Sequence, residues 1–445
     1  MKAIEYHRQI LHIALPAIIT NITVPLLGLV DTAIVGHMGS AAYMAAIAVG
    51  SMVFNLIYWL FGFLRMGTSG LTAQAYGRKD NQEIGRLLAH SLAAAAVLAG
   101  CILLFQWPLR ELMFWLIGPT SDVRSLAVTY YNIVVWGAPA MLGLYGLSGW
   151  FIGMQNTRLP MVISILQNIV NILVSLGLVY GLGMKVEGLA LGTVIAQYAG
   201  FLIAIALLAH HYGRIILNSQ SNRRFPTMKK VMTSSDFIRF FRVNRDIFFR
   251  TLCLVAVNLY FTSAGARQGA TILAVNTLLM QLLLLFSYIM DGFAYAGEAL
   301  GGRYWGAKDA PSFHEITRHL FEWGAAMAII FTLAYIIGGT PFLQLLTDEP
   351  SVVAASQEYI WWAYLACICG VTAYLWDGIF IGTTQTKGML VSAAIATIIF
   401  FLTATTCMSY FGNHGLWIAL LLFLLIRGIV QTVIYWQSST INLNS

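Results

Sequence analysis

Asp31 lies in the stretch PLLGLVDTAIVG, Pro25 to Gly36, whose other residues are apolar or small. A charged side chain at the centre of a bilayer costs about 2.5–3.5 kcal/mol on insertion scales, so an acid inside a membrane-spanning helix is a candidate functional residue. Surroundings that exclude water favour the neutral, protonated form of a carboxyl group. We therefore predict that Asp31 binds and releases a proton, as functional acids often do.

Four polar residues further along the chain recur at helical spacing. They are Ser164, Asn168, Asn171 and Ser175, at intervals of four, three and four residues, so they share one helical face. Amides and hydroxyls that face a carboxylate form a hydrogen-bonded site for a proton or another cation. The alternative is that they only hold helices together, as Asn and Ser often do in membranes. Because Asp31 is available as a partner, we favour the cation site.

Two prolines share the apolar segment of Asp31, at Pro16 and Pro25. Each removes a backbone donor and can kink a helix. We therefore predict that the helix carrying Asp31 bends between two shapes.

Three further acids fall within apolar segments. Asp291 and Glu298 are seven positions apart on one predicted helical face near Arg303, and Asp377 lies among aromatics in YLWDGIFIG. An internal ion pair or a gate is the simpler interpretation of the first two, and contact with a substrate cation is the other. Aromatic rings can surround an organic cation, although they are also common at membrane interfaces. All three acids are candidates for substrate contact or for a gate.

Long apolar helices must position these residues. The chain has 445 residues, is 59% hydrophobic and 10% charged, and has a mean hydropathy of +0.75, which is typical of integral membrane proteins. A span needs about 20 apolar residues, and the alternation typical of membrane barrels is absent. We predict an all-α polytopic protein with twelve spans, near residues 10–36, 44–68, 84–107, 126–150, 159–183, 187–210, 249–266, 272–301, 314–339, 352–382, 388–411 and 414–437.

Lys and Arg are concentrated on one side of these spans. The loops after odd-numbered spans hold only Arg110, Arg124, Lys185 and Arg267, whereas the N-terminus and the loops after even-numbered spans hold many more. By the positive-inside rule, we predict that both termini and the even-numbered loops are cytoplasmic. The basic connection from Arg214 to Arg250 is expected to lie on the anionic inner leaflet. The net charge of +7 thus reflects topology, and no nucleic-acid partner is predicted.

The two halves of the chain repeat each other at a constant offset. YGRKD, Tyr76 to Asp80, returns as WGAKD, Trp305 to Asp309, and a shift of 229 also superposes GWFIGMQNTR on GIFIGTTQTK. Six spans is an even number, so both copies enter the membrane in the same orientation, as in two-lobed transporters. We predict lobes at 1–212 and 249–445 joined by a basic linker at 213–248. The Gly-x-x-x-Gly pairs in the second motif predict close helix packing.

The sequence resembles the multidrug and toxic compound extrusion (MATE) transporters, in particular their DinF (DNA-damage-inducible protein F) branch. The resemblance covers essentially the whole chain and rests on NITVPLLGLVDTAIVGHMG, GLTAQAYGRKD, DGFAYAGEALGGRYWGAKD and FIGTTQTK. It implies two pseudo-symmetric six-helix bundles around a central cleft. It also implies export of cationic or amphiphilic compounds, coupled to inward flow of protons or sodium ions.

The resemblance also implies residue roles. Asp31 matches the coupling aspartate of the first helix, Pro16 its bending proline, Asn171 the asparagine of the fifth span, and Thr193 a hydroxyl of the sixth; Asn168 adds to this cluster.

The coupling ion follows from two departures from the family pattern. Ser175 stands where many relatives carry a second acid. Another branch of the family has a sodium site in the second lobe that needs an acid in the seventh span, and that span, TLCLVAVNLYFTSAGA, contains none. Asp377 alone does not rebuild that site. With fewer carboxylates to offset a metal cation, a proton is the expected coupling ion, and sodium is the alternative. No cofactor, catalytic residue or metal-binding residue is predicted.

The leading interpretation is a monomeric secondary active exporter of organic cations or amphiphilic drugs, surrounded by membrane lipid. The runner-up is a flippase for a lipid-linked saccharide, which would need basic residues for a pyrophosphate. Apart from Arg65 and Arg427, basic residues avoid mid-span positions, which argues against it. An enzyme is not supported, because catalytic and phosphate-binding motifs are absent and the nine histidines show no ligand spacing.

Overall fold

The structure is a computed structural model that describes residues 2–36, 40–220, 235–347 and 349–442. Within these ranges the chain is almost entirely helical and contains no β-strand. Twelve of its helical segments are long and apolar enough to cross a membrane. The predicted all-α polytopic fold is confirmed, because helices satisfy their backbone hydrogen bonds internally where no water is present.

Helices follow one another with short connections. The first nine are α1 Lys2–Gly36, α2 Ala41–Phe61, α3 Phe63–Gly77, α4 Asn81–Leu104, α5 Gln106–Ile117, α6 Ser121–Val134, α7 Ala138–Gly153, α8 Arg158–Leu176 and α9 Val186–Gln220. The others are α10 Ser235–Arg267, α11 Ala270–Ala296, α12 Gly302–Gly306, α13 Ala310–Leu346, α14 Pro350–Gly382, α15 Thr386–Phe411 and α16 Asn413–Asn442. Turns of π-helix follow α8 and α11, at Gly177–Gly181 and Gly297–Gly301.

The chain forms two compact units. The N-unit is Ile19–Asn244, and the C-unit comprises Met1–Ile18 and Arg245–Ser445. This division differs from the predicted lobes at the start of the chain, because the first half of α1 packs with the C-unit.

The predicted linker, 213–248, is largely helical where it is described. Helix α9 continues to Gln220, and α10 begins at Ser235, fourteen positions before the predicted start of the seventh span at 249. Apolar residues recur on one face of this extension, at Phe240, Val243 and Ile247, and all three are buried. Residues 221–234, which are the rest of the predicted linker, lie outside the described residues.

The sequence repeat is reproduced in the local geometry of both units. Asp80 caps α4 by accepting a hydrogen bond from the Glu83 amide at 2.9 Å, and Asp309 caps α13 by accepting one from Ser312 at 3.1 Å. These two pairs are 229 residues apart. The residues preceding the two caps, Lys79 and Lys308, have φ angles of 58° and 57°. The repeated motifs are therefore equivalent helix–turn–helix connections.

Glycines let helices touch at equivalent places in the two units. Helix α3 packs on α7 in the N-unit, and α11 packs on α14 in the C-unit. A Cβ atom added at Gly149 would overlap the backbone carbonyl of Arg65, and one added at Gly378 would overlap that of Ala294. The same shift of 229 residues relates Arg65 to Ala294 and Gly149 to Gly378. The predicted close packing is confirmed.

Gly149→Ala and Gly378→Ala are each expected to lower the stability of the protein. Alanine normally favours a helix over glycine, but the overlapping atoms here are backbone and cannot rotate away, so we expect a loss of about 1–3 kcal/mol. Thermal unfolding in detergent measures this. Gly100→Ala is the matched control, because a Cβ there meets nothing within 4 Å; its melting temperature should stay equal or rise. Unchanged melting of the first two variants would contradict the close contact.

Candidate ion-coupling site and buried ion cluster

A hydrogen-bonded group of polar side chains joins α8 to α9 in the N-unit. The Asn171 amide donates to Thr193 Oγ1 at 3.5 Å, and Ser175 Oγ donates to Asn171 Oδ1 at 3.4 Å. Thr193 Oγ1 in turn donates to the Leu189 carbonyl at 3.1 Å. Asn171 and Ser175 are buried. Three of the predicted site residues are thus brought together, and all three are uncharged.

Tyr130, on α6, connects this group with Asp31. Its hydroxyl interacts electrostatically with Asp31 and by hydrogen bonding with Thr193, and it lies 3.4 Å from Ser51 Oγ. The ring is buried, and its position requires a glycine on α2, because a Cβ at Gly50 would overlap the ring. Sequence reasoning missed Tyr130, since nothing in the pattern distinguishes it from the other tyrosines of the chain.

The carboxyl group of Asp31 is incompletely satisfied. Its side chain is half-buried, and the oxygen Oδ1 is shielded from solvent with no hydrogen-bond partner among the described residues. An unpaired charge in such a place is costly, whereas a bound proton or cation would offset it. The surroundings of Asp31 therefore have the chemistry of a site that takes up a positive charge.

The other half of the polar stripe on α8 contacts α1 at Thr23, eight residues before Asp31. Asn168 Nδ2 donates to the Thr23 carbonyl at 3.1 Å, and Ser164 Oγ lies 3.0 Å from Thr23 Oγ1. The predicted grouping of Asn168 with Asn171 is therefore corrected: the two amides lie on one helix but serve different neighbours. Tyr180, beyond the end of α8, donates to the carbonyl of Ile34 at 3.2 Å. These bonds hold α1 on both sides of Asp31.

The two prolines lie inside an unbroken helix. Helix α1 runs from Lys2 to Gly36 through both Pro16 and Pro25. Their bending role stays a prediction.

A cluster of charged side chains lies inside the C-unit around Asp377. Its Oδ2 accepts hydrogen bonds from Arg250 and from Arg427, the latter at 3.1 Å, and its Oδ1 accepts one from Gln431 at 2.7 Å. All four side chains are buried. The Arg427 guanidinium also lies 5.9 Å from the ring centre of Tyr374, one of the aromatic residues near Asp377 in the sequence. The structure therefore gives Asp377 arginine partners, and its contact with an organic cation stays a prediction.

Arg250 was not recognised from the sequence as a mid-helix charge. It was placed at the start of the seventh span, but the earlier beginning of α10 puts it 15 residues into that helix. The statement that only Arg65 and Arg427 occupy mid-span positions is therefore wrong. A second buried arginine is present, and it is paired with Asp377.

The two acids of the eighth span have different surroundings. Asp291 is half-buried and interacts electrostatically with Arg250 and Tyr374, so it belongs to the ion cluster around Asp377. Glu298 is buried in the π turn, where its carbonyl oxygen lies against Gly382. The turn interrupts the α-helical period on which the predicted common face depended.

Comparison with known proteins extends these observations. Residues 16–177 and 247–406 match the family model described as MatE. The chain is 39% identical to DNA damage-inducible protein F of Escherichia coli (strain K12), over 96% of this chain and 92% of the relative. It is 21% identical to the probable multidrug resistance protein NorM of Thermotoga maritima, over 79% and 75%. A crystal structure of MATE in the bent conformation has a TM-score of 0.86 at 18% identity, over 99% and 98%, so the fold is shared.

Asp377→Asn should strongly destabilise the C-unit. The substitution leaves Arg250 and Arg427 buried without the carboxylate that they share, and breaking a buried pair in this way costs about 3–5 kcal/mol. Thermal unfolding in detergent is the measurement. Asp122→Asn, which removes an exposed carboxylate at the start of α6, is the control and should change little. Adding Arg427→Leu to Asp377→Asn should recover part of the loss; a double variant less stable than the single one would argue against a shared ion cluster.

Proposed function

The chain belongs to the MatE family, and on that premise we propose that it is a secondary active multidrug efflux antiporter. It exports cationic or amphiphilic organic compounds across the bacterial inner membrane, as a monomer with both termini in the cytoplasm. Protons flowing inward drive the export. The multidrug assignment is supported by the similarity to the probable multidrug resistance protein NorM, and the cytoplasmic placement by the distribution of Lys and Arg.

The observation that carries the proposal is the solvent-shielded Oδ1 of Asp31, which has no hydrogen-bond partner among the described residues and lies near Tyr130. One carboxylate among uncharged partners is neutralised completely by one proton. A sodium ion would need several oxygen ligands, but Asn171 Oδ1 already accepts from Ser175, and the Thr193 hydroxyl donates to a backbone carbonyl. This arrangement favours a proton as the coupling ion.

Coupling between proton and substrate follows from the charge of Asp31. A cationic compound is attracted to the ionised carboxylate, and protonation removes that attraction, so the two ligands compete. Protonation also removes the electrostatic interaction between the carboxylate and the Tyr130 hydroxyl.

The second half of α1 transmits this change. Hydrogen bonds from Asn168 and Tyr180 hold its backbone at Thr23 and at Ile34. Pro25 lies between these points and supplies no backbone donor, so bending is easiest there. That a MATE protein of the same fold has been solved in a bent conformation supports this step.

The runner-up function, flipping of a lipid-linked saccharide, gains support from one observation. Arg250 and Arg427 are two buried cations of the kind that would bind a pyrophosphate. Both, however, already donate to Asp377. The exporter therefore remains the function that the geometry supports best.

Asp31→Asn should abolish proton-driven transport. The amide has nearly the shape of the protonated acid but exchanges no proton, so accumulation of a fluorescent organic cation in everted vesicles should no longer follow the pH gradient. A coupling energy of about 1–3 kcal/mol corresponds to a change of 5–150-fold in the affinity for the cation between the two protonation states, and this pH-dependent change in affinity should disappear in the variant.

Asp122→Asn, an exposed acid on the same unit, should transport normally and serves as the control for expression and vesicle quality. A sodium requirement at a fixed pH gradient would transfer the coupling role to sodium. Movement of a lipid precursor without movement of any organic cation would replace the exporter by the flippase.

Tyr130→Phe should slow transport without unfolding the protein. It keeps the buried ring but removes the hydroxyl that lies between Asp31 and Thr193, and the net value of one hydrogen bond, about 0.5–1.5 kcal/mol, corresponds to roughly a two- to tenfold change in rate. Tyr131→Phe is the matched control, because this adjacent hydroxyl donates to the Gln106 carbonyl at 3.0 Å. Equal rates for the two variants would remove Tyr130 from the mechanism.

A further inference from the structure

Two histidines and a glutamate meet in the C-unit, away from the groups considered so far. His7 is on the first turns of α1, and His319 and Glu322 are on α13. One ligand atom of each residue lies within 4.8 Å of the other two. The two imidazole rings lie side by side, with centroids 4.5 Å apart.

His319 is placed as a metal ligand would be. Its side chain is 3% exposed, its Nδ1 lies 2.8 Å from Glu322 Oε2, and its Nε2 has no hydrogen-bond partner among the residues that the structure describes. Nε2 lies 3.8 Å from Glu315 Oε2. A buried imidazole with Glu322 beside Nδ1 and Glu315 near Nε2 matches the pattern in which one nitrogen, here Nδ1, binds a metal and the other is oriented by an acid.

The partner histidine is held firmly by its neighbours. His7 Nδ1 accepts a hydrogen bond from Trp323 Nε1 at 3.1 Å. The turns around it are tied down by Tyr6, which donates to Ser312 Oγ at 3.2 Å, and by Gln9, which accepts from Tyr304 at 2.8 Å. The position of His7 relative to His319 is therefore fixed by several independent contacts.

We propose that His7, His319 and Glu322 bind a divalent first-row transition-metal ion of the Zn²⁺ class. Two imidazoles and one carboxylate are a common zinc ligand set, which leaves a fourth position for water. Bonds of about 2.0–2.2 Å place tetrahedral ligand atoms roughly 3.4 Å apart. The ligand atoms lie within 4.8 Å of one another, and His319 Nδ1 and Glu322 Oε2 are 2.8 Å apart, so small shifts bring them to this spacing. Glu322 is exposed and has room to move.

One neighbouring cation opposes metal binding. Arg318 Nε donates to Glu322 Oε1 at 3.0 Å, but this side chain is 66% exposed. An exposed ion pair of this kind contributes little. Binding therefore requires only that Glu322 give up this contact and that His7 exchange its hydrogen bond from Trp323 for a bond to the metal.

The bound ion would link the first turns of α1 to α13. This site is separate from the proposed proton pathway, and its existence does not depend on the transport function.

Zinc titration of the chelator-stripped, detergent-purified chain tests the proposal. With a chromogenic chelator as competitor, the wild-type protein should take up one tight equivalent of Zn²⁺. His319→Ala and His7→Ala should each weaken this equivalent by about 100-fold or more, and Glu322→Gln by about 10–100-fold. His314→Ala is the matched control: this residue is an exposed histidine of α13 whose Nδ1 lies 3.0 Å from the Ala310 carbonyl. Equal uptake by the wild type and His319→Ala would overturn the site.

A spectroscopic measurement covers the case in which His319→Ala does not fold. Cu²⁺ added to the wild-type chain at one equivalent should show electron paramagnetic resonance splitting from two imidazole nitrogens, and His7→Ala should reduce this to one. A spectrum without nitrogen splitting, or one that His7→Ala leaves unchanged, would mean that these residues do not form the metal site.

Discussion

The absence of water from the hydrocarbon core constrains every other feature of this protein. Each backbone donor and acceptor must be satisfied within a helix, so the described chain is helical almost throughout. A charged side chain buried in that core is costly in free energy unless it has a partner. Asp377 has two arginines and a glutamine as partners. Asp31 has an oxygen with none among the described residues. The contrast between these two acids separates a structural charge from a candidate functional one.

Close contacts between helices fix the positions of the side chains that surround these two acids. Helix pairs in a membrane gain little from hydrophobic burial, so they rely on close backbone approach through small residues. Gly149 and Gly378 make that approach against Arg65 and Ala294, at equivalent places in the two units. The capping aspartates Asp80 and Asp309 are equivalent in the same way. The repeat therefore conserves the connections and contacts that fix the helices, while the polar side chains between them differ.

Much of this could be predicted from the sequence, and the failures have a common cause. Hydropathy, charge bias and the offset of 229 predict the spans and the repeat, and spacing identifies Asn171 and Ser175, because each depends on local periodicity. Periodicity assigns a residue to a helical face but does not identify its partner. Tyr130, whose hydroxyl links Asp31 to Thr193, and the pair of His7 with His319 depend on contacts between distant segments. Arg250 was misplaced because amphipathic turns before the apolar span extend α10 toward the N-terminus.

The two units repeat the same helices but differ in the positions of their buried acids. At the offset of 229, Asp31 corresponds to Tyr260, and Asp377 corresponds to Ser148, so neither acid has an acidic counterpart in the other unit. In the N-unit Asp31 lies near the neutral side chain of Tyr130, and under the proposed function its charge changes with the binding of one proton. In the C-unit the Asp377 carboxylate accepts hydrogen bonds from two guanidinium groups. A duplicated fold can therefore hold an acid beside neutral partners in one unit and an acid paired with arginines in the other, because the difference requires substitution of a few buried side chains and no change in helix packing.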